Sequence, residues 1–100
     1  MPAAYLIVEM HVTDPERYKD YMAAAPEAVK AAGGEYLVRG GKSETLEGSW
    51  NPVRVAVLKF PSYEQAKAWY DGEQYRQARA RRAGATEFFN AILVEGVPTT

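Results

Sequence analysis

Gly33-Gly34-Glu35-Tyr36-Leu37-Val38-Arg39-Gly40-Gly41 reads as a short strand set between two Gly-Gly pairs. It runs into Leu46-Glu47-Gly48-Ser49-Trp50, a loop with a lone carboxylate and a tryptophan. The glycines read as turn residues and points of close backbone approach. Lys42-Ser43 follows Gly40-Gly41 but reads as polar loop and opens no helix, and Tyr36 stands where a phosphate loop needs its first glycine, so neither pair makes a nucleotide-binding loop of that kind. The segments on either side of this strand decide the fold.

Upstream, Tyr5 to Val12 is mostly apolar, with Glu9 and His11 at alternate positions, as in a strand. Leu6, Val8, Met10 and Val12 share one face; Tyr5, Ile7, Glu9 and His11 share the other. Thr13-Asp14-Pro15-Glu16 then starts a helix, because Asp14 can cap free N–H groups and Pro15 at the first position loses no needed donor. Tyr18, Tyr21, Met22, Ala25 and Val29 form its apolar stripe. Pro26 is expected to kink or split this helix, and Gly33 to end it.

Downstream, Pro52 to Phe60 is a third strand, more continuously apolar and therefore central. The polar, Gly-rich connection before it is longer than ordinary hairpin loops of about 2–5 residues, a length often tied to function, unless part of it extends the strands. Pro61-Ser62-Tyr63-Glu64-Gln65 starts a second helix with Ser62 and Gln65 at capping-box spacing, and Ala66, Trp69 and Tyr70 form its buried stripe. Asp71-Gly72-Glu73 is expected to interrupt it. Tyr75 to Arg82 resumes as a helical piece whose Arg76, Arg79, Arg81 and Arg82 read as a solvated face. Gly84 stops it, and Thr86 to Glu95 is a fourth strand before a short Pro-containing tail.

The order is β-α-β-β-α-β, the split pattern of ferredoxin-like α+β folds. Right-handed crossovers give a four-stranded antiparallel sheet in the order 4-1-3-2, with both helices on one face. The uncovered apolar face is expected to pack on a second copy, making a homodimer.

With 100 residues, the chain has room for one domain, residues 1–100, and its 47% apolar and 25% charged residues are ordinary for a globular protein. A net charge of −1 gives no reason to expect nucleic acid or an anionic membrane as partner. The absence of cysteine excludes disulfides and thiolate chemistry within the chain, and one histidine leaves a multi-histidine metal site only by pairing subunits. No metal or other cofactor is expected: the single histidine could ligate haem, but nothing else argues for haem or flavin. The N-terminus lacks the basic start of a signal peptide, and Glu9 interrupts its apolar run well short of the ~20 residues that span a bilayer. Cytoplasmic location is the default expectation.

Tyr18-x-x-Tyr21, Gly33-Gly34-x-Tyr36-Leu37-x-Arg39-Gly40-Gly41, Leu46-Glu47-Gly48-x-Trp50-x-Pro52-x-Arg54, Phe60-x-Ser62, Ala68-Trp69-Tyr70 and Glu73-x-Tyr75 together resemble the domain of unknown function 1330 family. The likeness runs over nearly the whole chain. It implies a dimeric α+β barrel, in which two ferredoxin-like sheets face each other. The wider superfamily includes small monooxygenases, haem-degrading enzymes, lactone isomerases and stress-associated proteins, while the narrow family has no agreed activity.

A charge is not readily buried under the helices without a partner, so Glu9, His11 and Arg39 are expected on the open sheet face, lining the dimer cavity, with Asn90 joining from the fourth strand. Arg54 and Lys59 lie on opposite faces of one strand, so one of them must sit at a strand end. His11 is the first candidate for acid–base work because its pKa lies near neutrality, set against a hydrogen-bonded or solvated histidine near a strand end. Glu9 could orient it. Arg39 could bind a carboxylate or enolate bidentately, or pair with Glu47 or Glu9 across the dimer. Trp50 reads as pocket or interface, and Trp69 as core. If the protein is an enzyme, these residues suit cofactor-independent proton transfer, isomerisation or oxygenation of a small acidic or aromatic metabolite, with Arg39, Glu47, Trp50 and Asn90 binding it. The alternative is a non-catalytic dimer whose polar sheet-face residues serve the interface.

Overall fold

The computed structural model describes residues 2–98; Met1 and the last two residues of the Pro-containing tail lie outside it. The elements follow in the order β1 (Ala4–Val12), α1 (Pro15–Ala31), β2 (Glu35–Arg39), β3 (Arg54–Phe60), α2 (Tyr63–Asp71), α3 (Glu73–Ala80) and β4 (Thr86–Glu95). The strands form one antiparallel sheet in the order β2-β3-β1-β4, the expected order counted from the other edge, with the helices on one side.

Alternation along β1 sets the two sheet faces. Ala4, Leu6, Val8 and Met10 are buried beneath the helices, while Tyr5, Ile7, Glu9 and His11 are half-buried on the opposite face. The register carries this pattern across the sheet: Leu6 pairs with Leu58 and Leu93, and Val8 with Ala56 and Ala91. The open face consequently has an apolar middle that includes Ile7, Val57 and Ile92, the last of which is 59% exposed.

Helix α1 begins as its sequence dictates, with Asp14 Oδ1 accepting from the Arg17 N–H at 3.1 Å and Pro15 in the first turn. Pro26 does not split it. The helix runs unbroken from Pro15 to Ala31, although proline has no N–H to give the preceding turn. Ala25, Ala28 and Val29 flank Pro26 and are buried on the sheet. Burying one valine side chain stabilises by about 1.5–3 kcal/mol, enough to offset most of the ~3 kcal/mol that an interior proline costs. The chain then turns across Phe60: a Cβ on Gly34 would stand 2.7 Å from its ring. The second helical stretch breaks at Gly72 into α2 and α3, as Asp71-Gly72-Glu73 suggests, and Ser62 caps α2 by accepting from the Gln65 N–H at 3.1 Å.

Candidate functional site

The pairing of β2 with β3 decides where the chemistry sits. Tyr36 pairs with Leu58, Val38 with Val57 and Arg39 with Ala56, so Leu37 is an extra residue bulged out of the ladder. In an unbulged strand Tyr36 and Arg39 would point to opposite faces; the bulge puts both on the face of Ala56 and Leu58, under the helices. Arg39 therefore does not join Glu9 and His11 on the open face. Its guanidinium lies 4.7 Å from the centre of the Tyr36 ring and its Nη2 lies 4.0 Å from Met22 Sδ of α1. Arg54 resolves its conflict with Lys59 by being the first residue of β3; it pairs with Met10 and faces the helices. Gly40 holds it there: Gly40 N–H donates to Val55 O at 2.9 Å, and a Cβ on Gly40 would stand 2.6 Å from Arg54 Nε.

Arg39 and Arg54 stand at one end of a cavity between sheet and helices. Tyr18, Tyr21 and Met22 of α1 form its roof, Tyr36 its β2 side, and Trp69 and Tyr75 its inner wall. The space open to the centre of a water molecule is ≈ 30 Å³, room for about two waters. Its wall contains no Asp, Glu or His. Neither arginine takes part in an ion pair among the described residues.

Tyr18, Tyr21 and Tyr36 stay protonated at neutral pH. Burial pushes the Tyr18 hydroxyl up, with Arg54, Arg82 and Arg39 opposing it in part. Burial raises Tyr36 to about 12 against the pull of Arg39. Tyr21 is raised by burial and by the neighbouring Tyr75, whose hydroxyl lies 2.6 Å from its own. Tyr18 donates to Met10 Sδ at 2.9 Å. Cations and neutral phenols make the cavity a set of hydrogen-bond donors, able to hold an anion but without a carboxylate or imidazole to create one from a neutral molecule.

The remaining candidates gather on the open face. Trp50 Nε1 donates to Glu9 Oε2 at 3.1 Å, and Asn90 Nδ2 donates to Glu9 Oε1 at 3.4 Å, so both carboxylate oxygens are engaged. The loop over residues 40–53 brings Trp50 there, with Thr45 donating to Trp50 O. His11 Nδ1 lies 2.7 Å from Glu87 Oε1, a partner on β4 that the sequence reading does not single out. Glu47 is exposed on the loop and makes no hydrogen bond or ion pair among the described residues. Glu9 and His11 lie on the sheet face opposite to Arg39, so the three do not meet on one small ligand within a subunit.

Two of the helix-end arginines are only partly solvated. Arg82 lies 3.6 Å from the centre of the Phe89 ring and Arg79 4.3 Å from that of Tyr70, so aromatic faces take up cations that the sequence places in water. Of the cavity tyrosines, Tyr18 and Tyr21 are read from sequence as part of the α1 stripe, and Tyr36 and Tyr75 are given no role beyond their elements. Arg54 offered a signal: its parity matches Ala56, Leu58 and Phe60, the buried face of its strand.

Among the described residues no group of three or more His, Cys, Asp and Glu could hold a metal ion, and no helix is long and apolar enough to cross a membrane. No match is found among curated proteins. Several solved structures share the fold. A protein of unknown function from Rhodopseudomonas palustris superposes with a TM-score of 0.78 at 16% identity, over 98% of this chain and 85% of its own. A dimeric ferredoxin-like protein of unknown function from Jannaschia sp. CCS1 has a TM-score of 0.68 at 14% identity, over 93% of this chain and 98% of its own. A "putative antibiotic biosynthesis monooxygenase" from Caulobacter crescentus has a TM-score of 0.62 at 14% identity, over 97% of this chain and 92% of its own. The family model described as domain of unknown function DUF1330 matches residues 3–97, and with the ferredoxin-like sheet this places the chain in the DUF1330 family.

Proposed function

We propose that the protein is a homodimer, joined through its open sheet faces, in which each subunit binds a small organic anion in the cavity beneath its helices. One observation carries the ligand class: Arg39 and Arg54 share the mouth of an apolar, phenol-rich cavity with no carboxylate beside them. A carboxylate or enolate entering there gains charge-assisted, two-pronged hydrogen bonds from planar guanidinium groups. The apolar middle of the open face and the dimeric state of structural relatives support the dimer.

As an enzyme, the protein would perform cofactor-independent chemistry on the bound anion: proton transfer, isomerisation or oxygenation. The arginines hold the anion, and the protonated phenols donate to the oxygen on which charge gathers. The relatives named as monooxygenases have a similar fold and favour oxygenation among these three.

The polar residues of the open face support a second, non-catalytic role. Glu9 is already engaged by Trp50 and Asn90, and His11 by Glu87. Such satisfied pairs fix the geometry of an interface instead of moving protons.

Calorimetric titration with 3-methylbutanoate, a monocarboxylate with a short apolar tail, tests the anion site. Arg39→Ala and Arg54→Ala are each expected to weaken binding at least about tenfold, since hydrogen bonds to charged groups are worth roughly 1.5–3 kcal/mol. Light scattering should find both variants still dimeric. Unchanged affinity in both would sink the assignment.

A further inference from the structure

The inner end of the cavity has donors to spare and, among its side chains, only phenol oxygens to accept. Tyr21 and Tyr75 share one hydrogen bond at 2.6 Å between their hydroxyls, which uses one of their two O–H protons and leaves the other over. Trp69 stacks on Tyr75 with ring centres 4.1 Å apart; it is 7% exposed, and its indole N–H is buried without a partner. On the far side of the pair, Arg82 lies 5.3 Å from the centre of the Tyr21 ring, and its buried Nε also lacks a partner. These are the two unpartnered buried side-chain nitrogens among the described residues, and they flank one pair of phenols. Folded proteins rarely leave buried donors unmet, so a cluster of them marks a place that an acceptor fills.

We infer that this inner end, at Tyr75 and Trp69, receives a second oxygen of the bound anion, so that the ligand is a short oxo acid or its enolate and not a simple monocarboxylate. The inference rests on reading Arg39 and Arg54 as the seat of the carboxylate. With that group at the mouth, only the carbonyl end enters a space of about two waters, which suits a short chain and excludes a fused ring system. A methyl group in place of the carbonyl oxygen fills the same volume but leaves the indole and phenol donors unmet.

Acetoacetate and 3-methylbutanoate make that comparison, being nearly the same shape with a carbonyl oxygen exchanged for a methyl group. Calorimetry on the wild-type protein is expected to find acetoacetate bound at least about tenfold more tightly. Tyr75→Phe should abolish that preference and Trp69→Phe should reduce it, the preference being the ratio of the two acids' affinities within each variant. Should Tyr75→Phe not fold, as judged by near-UV circular dichroism, Trp69→Phe carries the comparison alone. Equal affinity for the two acids in the wild-type protein, lost in Arg39→Ala, would overturn the inner acceptor site and leave the anion site standing. A preference that survives in every folded variant would also overturn it. Failure of the wild-type protein to bind either acid would overturn the anion site itself, and this inference with it.

Discussion

A methyl group added at Gly40 would meet Arg54 Nε at 2.6 Å, and the φ of +72° there is one that side chains rarely adopt, so this one glycine both turns the chain and leaves room for a cationic side chain. The phenols beneath it carry the pH dependence. An unfolded chain releases a tyrosine proton near pH 10, whereas Tyr36 in the folded protein keeps it until about 12, and Tyr18 and Tyr21 are shifted the same way. The folded state thus holds more protons than the unfolded state above pH ~10; its stability is intact below that pH and falls as the pH rises through about 12. Absorbance at 295 nm should show fewer than the seven tyrosines ionising near pH 10 in the folded protein. Tyr36→Phe should lessen the loss of stability between about pH 10 and 12 seen by urea unfolding. Simultaneous titration of all seven with the fold intact would contradict the burial of these hydroxyls.

Element by element, the sequence predicts boundaries well because burial repeats with the period of each element. Glu35 to Arg39 and Thr86 to Glu95 are strands over those residues, and Gly72 divides the second helical stretch. Two features escape periodicity. Leu37 is an unremarkable strand residue, and nothing in its neighbours announces that it is unpaired, so the expectation that a charge resists burial, which sends Arg39 to the open face, meets no opposing signal. Pro26 breaks a local rule and is outvoted by the buried Ala25, Ala28 and Val29 around it, an energy that comes from the sheet and not from the helix. Pro26→Ala restores one helical hydrogen bond against a gain in unfolded-chain freedom of up to ~1 kcal/mol, for a net stabilisation of about 1–2 kcal/mol. A urea midpoint that does not rise would show that the helix has adapted to its proline at no cost.

At the scale of the whole molecule, the sheet separates two surfaces with different work. Sequence alone expects Glu9 and Asn90 on one sheet face and reads Trp50 as pocket or interface; in the structure Trp50 and Asn90 both donate to Glu9. The cavity was illegible because it needs α1, both sheet-side arginines and the α2–α3 break in one place, a long-range arrangement that no local pattern encodes. Separation of the surfaces makes the proposed dimer and the proposed ligand site independently breakable. Ile92→Lys, which puts a charge in the apolar middle of the open face, should yield a monomer by light scattering and still bind 3-methylbutanoate. A dimer of unchanged strength would place the interface elsewhere. The bulge at Leu37 finally bears on how relatives are compared. A relative with a regular second strand and one residue fewer between its tyrosine and its arginine would still aim both at the helices. A one-residue gap inside that strand, which an aligner would ordinarily penalise and push into the neighbouring loop, is then the correct correspondence.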